Sequence, residues 1–206
     1  MGADHDHAVT FDGLSDEYRR RLLLVTAINI SMFVVELLGG QLAGSQALKA
    51  DALDFLADGA TYALSLWAIG RPARVRAGAA FVKGLSLFAM GLWVAGTTLY
   101  QFLVLGVPQA ELMSVIGLMA LAANVTSVVL LMAYRNGDAN VRSVWLCSRN
   151  DAIGNIAVVV AAGFVALLGN GVPDLIVAGV MAALFLSSSY QILSQSWAEW
   201  RRGARP

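Results

Sequence analysis

Long charge-free runs dominate the chain. No charge falls between Lys83 and Glu111, Glu111 and Arg135, Asp151 and Asp174, or Asp174 and Glu199, and Leu22 to Leu48 holds one, Glu36. About 20 apolar residues suffice to cross a bilayer. Six spans are therefore predicted, at residues 22–43, 46–69, 79–105, 111–134, 143–168 and 175–198. Breakers stand between them: Gly39, Gly40 and Gly44, then Pro72, Gly106-Val107-Pro108, a hydrophilic link at residues 135–142, and Gly169-Asn170-Gly171-Val172-Pro173. The fold class is an all-α integral membrane protein with six transmembrane helices.

Arginine placement orients the spans. Arg19 to Arg21, the basic loop with Arg71, Arg74 and Arg76, the link with Arg135 and Arg142, and the tail with Arg201, Arg202 and Arg205 all fall on one side. The opposite loops, near Gly44, Pro108 and Pro173, carry no Lys or Arg. The positive-inside rule then places both termini in the cytoplasm of a multi-pass protein of the plasma membrane or cell inner membrane. The expected division is a polar tail at 1–18, a transmembrane domain at 19–200 and a short cytoplasmic tail at 201–206. Ser15 is an expected helix cap, with Asp16 and Glu17 in the first turn.

Composition sharpens this reading. The chain is 58% hydrophobic and only 14% charged, against about 25% charged in soluble domains. No basic face is left over for nucleic acid once topology has used the arginines. One cysteine, Cys147, excludes an intramolecular disulfide. The N-terminal residues Asp4, Asp6, Asp12, Asp16 and Glu17 have the wrong character for a cleavable signal peptide. His5 and His7 alternate with Asp4 and Asp6, which fits either a disordered terminus or a weak metal-collecting tail.

The candidate chemistry lies in the second span, whose stretch SQALKADALDFLADGATYALSLWAIG puts Asp51, Asp54 and Asp58 on one face of an otherwise apolar helix. Carboxylates in such a setting need a partner, a proton or a metal. Cys147 and Asp151 repeat the four-residue spacing of Asp54 and Asp58 in the fifth span, so two such pairs on facing helices supply four ligands to one divalent ion. Carboxylates with a thiolate suit zinc, whereas oxygen alone favours manganese or magnesium. Each residue also has a plainer reading: Cys147 as a small buried filler, Asp151 as a partner of Arg149 or Lys83, and Lys83 as a cation reaching the headgroups. Asp51 is expected to cap, to pair with Lys49 or to help an ion leave. Glu36 faces protein or a cavity rather than lipid. Arg149, two residues off either ligand position, is expected to point elsewhere and reach inward or pair with an acid; facing the site instead, it would compete with a cation. Asn124, Thr126 and Ser127 are expected to hydrogen-bond between helices.

Residues 29–36 and 45–58, Gly84 to Leu87, Asn124, and Asn140 to Asp151 (NVRSVWLCSRND) together make the chain resemble the cation diffusion facilitator family. The resemblance implies a six-span, usually dimeric antiporter that exports zinc or a related divalent ion against protons. It implies a central site of Asp54, Asp58, Cys147 and Asp151, with Cys147 standing where the family usually has His or Asp. The expectation is that the family's cytoplasmic metallochaperone-like domain is missing, and residues 135–142 hold no His-rich loop of the kind many zinc members carry between spans four and five. The expectation is thus a transporter, not an enzyme, with Zn2+ as substrate, then Cd2+, with Fe2+ or Mn2+ behind. It acts as a homodimer formed through the membrane spans, Gly84 and Gly91 offering the contact. Two other readings remain open. One is a proton-coupled organic-cation exporter lined by Trp67, Trp93 and Trp145; the other is a metal-binding scaffold or sensor that moves nothing. No Ser-His-Asp set exists, and both histidines lie in the tail.

Overall fold

The computed structural model describes residues 15–68, 73–104, 106–136 and 139–202; His5 and His7 lie outside them. It is all helical. The order is α1 (Asp16–Ala43), α2 (Gln46–Ala68), α3 (Ala73–Val104), α4 (Ala110–Leu131) with a 3-10 turn at Met132–Tyr134, α5 (Ala139–Leu168) and α6 (Val172–Arg202). Among the described residues, α1, α3, α4, α5 and α6 are long and apolar enough to cross a membrane. Helix α2, with 23 residues, is long enough at about 35 Å. Lys49, Asp51, Asp54 and Asp58 make it too polar to join that class by composition.

The outside of the bundle is greasy and its inside is polar. Leu38, Leu42, Leu103, Leu167 and Ile176 are exposed, while Asn29, Glu36, Asp51, Asn124, Asn155 and Asp174 are buried. Water would penalise that surface, and hydrocarbon would not. The core is accordingly split into separate apolar clusters around the polar interior. One joins Ala43, Leu48, Met113 and Val158, another Tyr18, Leu22, Val25, Tyr62 and Leu131, and a third Ala50, Leu87, Val94 and Phe185.

Helix ends differ from the expected boundaries in ways local chemistry explains. Ser15 caps α1, its side chain accepting from Tyr18 N at 3.1 Å, so the helix starts at Asp16 and carries Arg19 to Arg21 within it. Arg21 bonds Glu17 on its own helix and donates to the Leu130 carbonyl at 3.0 Å, pinning this end of α1 to α4. Gly39 and Gly40 do not end α1. They are helical, and they let α1 approach α4 and α2: a Cβ on Gly39 would collide with Ile116, and one on Gly40 would stand 3.1 Å from Leu48 Cβ. Gly44 alone terminates the helix, at φ 69°. Helix α3 begins at Ala73, so Arg74 and Arg76 of the expected basic loop belong to it, while Arg71 and Pro72 lie outside the described residues; α5 takes in residues 139–142 of the expected link.

Packing corrects the proposed dimer contact. Helix α3 packs most extensively on α6. A Cβ on Gly84 would meet Ile192 and Leu193 at 3.0 Å, and one on Gly91 would meet Leu186 at 3.0 Å. These glycines therefore seat α3 against α6 within one chain and are buried there. The other four helices form a group in which α1 packs on α2 and α4, and α4 on α5, with α2 and α5 facing each other. Thr126 and Ser127 bond carbonyls of their own helix, those of Ala122 and Ala123, rather than another helix.

Three connections meet at the end of the bundle remote from Arg19 to Arg21, and Asp174 ties them. This buried carboxylate at the start of α6 accepts from Ser45 Oγ (2.6 Å), Gln46 N (2.8 Å) and Ala47 N (3.0 Å). It thus caps α2, a helix on which Asp54 and Asp58 ride, from across the bundle. Gln101 donates to the Gly44 carbonyl at 3.2 Å and Gln109 N to the Ala43 carbonyl at 2.8 Å, closing the same end. Asp174→Ala leaves two amides and a hydroxyl without an acceptor, at a cost of about 2–4 kcal/mol. The melting temperature in detergent is expected to fall by about 5–10 °C. An unchanged melting curve would remove Asp174 from the account of how α2 is held.

Candidate metal site

Asp54 and Asp58 lie one turn apart on the face of α2 that meets α5, and Asp151 projects from α5 between them. The Asp151 carboxyl is within hydrogen-bonding reach of the carboxyls of both. The i, i+4 spacing on α2 stacks two carboxyls in a column, and the helix opposite supplies the third. Asp58 is buried, and Asp54 and Asp151 are partly buried. Two outer partners hold the lower end of the column. The Tyr62 hydroxyl donates to Asp58 Oδ2 and stands 3.3 Å from Ser148 Oγ. Tyr62 has no exposed surface at all, so Asp58 is oriented by a group that has no other freedom. Sequence reading missed Tyr62, although its spacing of four from Asp58 was visible.

Cys147 is placed less decisively. It is a free, partly buried thiol one turn from Asp151. It feels the charges of Asp58 and Asp54, yet its side chain packs at the rim of the cluster containing Tyr62, Leu131 and Val144. The three carboxyls are brought together, while the thiol stands beside them. Among the described residues, no three acidic, thiol or imidazole side chains converge into a ready metal cage.

Two basic residues near the site behave differently. Lys83, on α3, is close enough to Asp54, Asp58 and Cys147 to act on each electrostatically. Being partly buried, it is an internal counter-charge as well as a candidate for the headgroup region. Arg149 is exposed, lies over the Trp145 ring at 5.4 Å and donates to Asn150 Oδ1 at 3.2 Å. It faces away from the acids, as the two-residue offset from its neighbours requires. Among the described residues, the one ion pair within contact distance is Arg21–Glu17, so the carboxyl column is not closed off by a salt bridge.

A second polar layer lies about one turn, or 5 Å, nearer the Asp174 end. Asn155 Nδ2 donates to Asp51 Oδ2, and Asn124 Nδ2 donates to Asn155 Oδ1 at 2.8 Å. Asp51 therefore neither caps nor ion-pairs with Lys49, which interacts instead with Asp174. Glu36, on α1, neighbours Asp51. It is fully buried, and no donor from another side chain or the backbone reaches either of its carboxyl oxygens; the Asp51 carboxyl is within hydrogen-bonding reach.

A greasy-walled helical bundle with acids grouped at mid-depth is the architecture of a membrane protein that handles ions. The cation efflux transmembrane domain profile matches residues 22–199, and the chain belongs to that family, also known as the cation diffusion facilitators. Zinc transporter ZitB of Escherichia coli (strain K12) is 29% identical over 214 residues, spanning 97% of this chain and 68% of ZitB. Metal cation efflux system protein CzcD of Cupriavidus metallidurans is 27% identical over 212 residues, 95% of this chain and 64% of CzcD. The cadmium, cobalt and zinc/H(+)-K(+) antiporter of Bacillus velezensis is 26% identical over 214 residues, 95% of this chain and 65% of its own length. The chain thus spans about two thirds of the length of these relatives.

Proposed function

We propose that this protein exports divalent metal cations, zinc and cadmium foremost, in exchange for protons, with Asp54, Asp58, Asp151 and Cys147 as ligands of the transported ion. The carrying observation is the convergence of Asp151 on Asp54 and Asp58 from a facing helix, in a span where no contact ion pair neutralises them. A divalent ion neutralises such a column directly, and protons displace it when the site faces an acidic compartment. The six helices all cross the plasma membrane, with both termini cytoplasmic, and α2 crosses despite its polarity because its acids face protein. Tilting of helices around the mid-depth site provides alternating access, with the Asp174 network as the outer closure.

The relatives' names, zinc transporter and cadmium, cobalt and zinc antiporter, support the metal class and proton exchange. Iron and manganese find no such support. An organic-cation substrate is disfavoured by its own requirement for aromatic walls. Trp67 and Trp93 are 47% and 46% exposed on the outside of the bundle, and Trp145 lies beneath Arg149. A homodimer through the membrane spans belongs to the same reading. Light scattering with detergent mass subtracted gives two chains if it holds and one if it does not.

Purified protein in liposomes is the direct test. Zinc uptake against an outward-directed proton gradient is expected to exceed that of protein-free liposomes at least about tenfold. It is also expected to alkalinise the lumen as protons leave. Zinc binding without flux would instead establish a scaffold or sensor.

A further inference from the structure

Glu36 and Asp51 are buried acids that the metal reading leaves without a task, and of the two Glu36 is the less provided for. Its side chain has no accessible surface, and no donor reaches either carboxyl oxygen. Within hydrogen-bonding reach of it stands another acid, Asp51. Two ionised carboxylates in contact inside hydrocarbon are mutually repulsive and desolvated, so something positive belongs between them.

The neighbouring amides decide which carboxyl holds it. A carboxylate can only accept, so Asn155 must turn its NH2 toward Asp51 Oδ2, leaving Asn155 Oδ1 to accept from Asn124 Nδ2 at 2.8 Å. That fixed chain supplies Asp51 with a donor and favours it as the ionised member. Glu36 has no such donor and is suited to be the acid, giving its proton to the hydrogen bond with Asp51. The charged groups acting on Glu36 from α2 are Asp51 and Asp54. Helix α4 contains one ionisable residue, Glu111, exposed at its far end. Lys49 is engaged with Asp174, and Lys83 acts on Asp54 and Asp58.

We propose that Glu36 carries one of the protons of the exchange. It holds a proton against Asp51 and releases it when a divalent cation enters the Asp54–Asp58–Asp151 column one turn away. The inference rests on the reading of that column as the metal site. Two positive charges about a turn distant favour the ionised form of Glu36, and in a low-dielectric interior that influence is strong at this range. This proton and the metal would then occupy separate carboxyl groups, coupled by charge, in addition to the protons that compete with the ion for the column itself. The step is a proton transfer only: the Glu36 O–H bond breaks, and the proton leaves through water.

The test counts protons. Zinc is titrated into the purified protein in buffers of differing ionisation enthalpy, which gives protons released per zinc bound. Glu36→Gln is expected to release about one proton fewer than the unaltered protein, with zinc affinity within about threefold. In liposomes it is expected to pass zinc down the zinc gradient but to be accelerated less than the unaltered protein by an opposing pH gradient. Glu36→Met gives the same count should the Gln variant fail to fold, and Glu36→Asp, which keeps an acid, is expected to restore the missing proton. An unchanged proton count in the neutral variants overturns the proposal. So does a loss of zinc affinity of about tenfold or more in folded protein, which would make Glu36 a ligand. Absence of zinc flux from the unaltered protein would sink the transport reading alone, because the proton count in detergent still reports on Glu36.

Discussion

Asp54→Ala and Asp58→Ala are each expected to lower zinc flux by at least about 100-fold while the protein still reaches the membrane. Loss of an outer partner of a metal ligand already costs about 10–100-fold, and loss of a ligand is at least as severe. Stability argues in the other direction. The acids are clustered in an apolar span, so their removal relieves repulsion and is not expected to unfold the bundle. Asp58→Asn separates charge from shape. The amide oxygen can still accept from Tyr62, whose hydroxyl bonds Asp58, yet the negative charge is gone, and the same loss of flux is expected. Tyr62→Phe keeps the charge and loses the orientation, so about a tenfold loss is expected. Zinc uptake into inside-out vesicles, normalised to protein in the membrane, ranks the four variants. Uptake at the unaltered rate in either alanine variant would take that carboxylate out of the mechanism.

The architecture was legible because hydrocarbon imposes a coarse code. Charge-free runs and arginine-bearing connections located all six helices, and the spacing of Asp54 and Asp58 located the column, since a helix turns any such pair onto one face. Ser15 and Gly44 were legible for similar reasons, each being a residue type suited to one position of a helix end. What the sequence concealed was anything requiring two helices to be placed relative to each other. Asp174 reads as the edge of a span, and only the fold carries it to the N-terminus of α2, more than a hundred residues earlier. Gly84 and Gly91 announce close packing without naming the partner, and α6 of the same chain takes the place that a second chain was expected to fill. Asn124 and Asn155 are two unremarkable polar residues until the bundle lays them in a row ending at Asp51. Glu36 was marked as buried by its position alone, but its missing donor shows only once the helices are packed.

Cys147→Ser is expected to weaken cadmium and zinc binding by about tenfold or more and manganese binding by less than about threefold. The position of the thiol leaves two roles in competition. Its packing at the rim of the Tyr62–Leu131–Val144 cluster is what a small buried filler would do. Its place one turn from Asp151, under the charges of Asp58 and Asp54, is what a ligand poised to swing inward would do. The serine substitution discriminates because it changes size little and softness greatly. As a filler, Cys147 contributes only shape, so serine would alter all three metals alike through a small loss of stability. As a ligand it contributes a polarisable thiolate once its proton is displaced by the metal, and a hydroxyl oxygen cannot replace that for zinc or cadmium. Cys147→His extends the argument, since an imidazole also suits zinc: zinc transport is expected to persist, with cadmium disfavoured relative to the unaltered protein. Bound zinc should also slow alkylation of the thiol, which packing alone would not predict. Calorimetric titration of the three metals, with thiol labelling followed in parallel, settles the matter. Equal small losses for zinc, cadmium and manganese, with labelling indifferent to zinc, would leave Cys147 in the core and the transported ion to Asp54, Asp58, Asp151 and water.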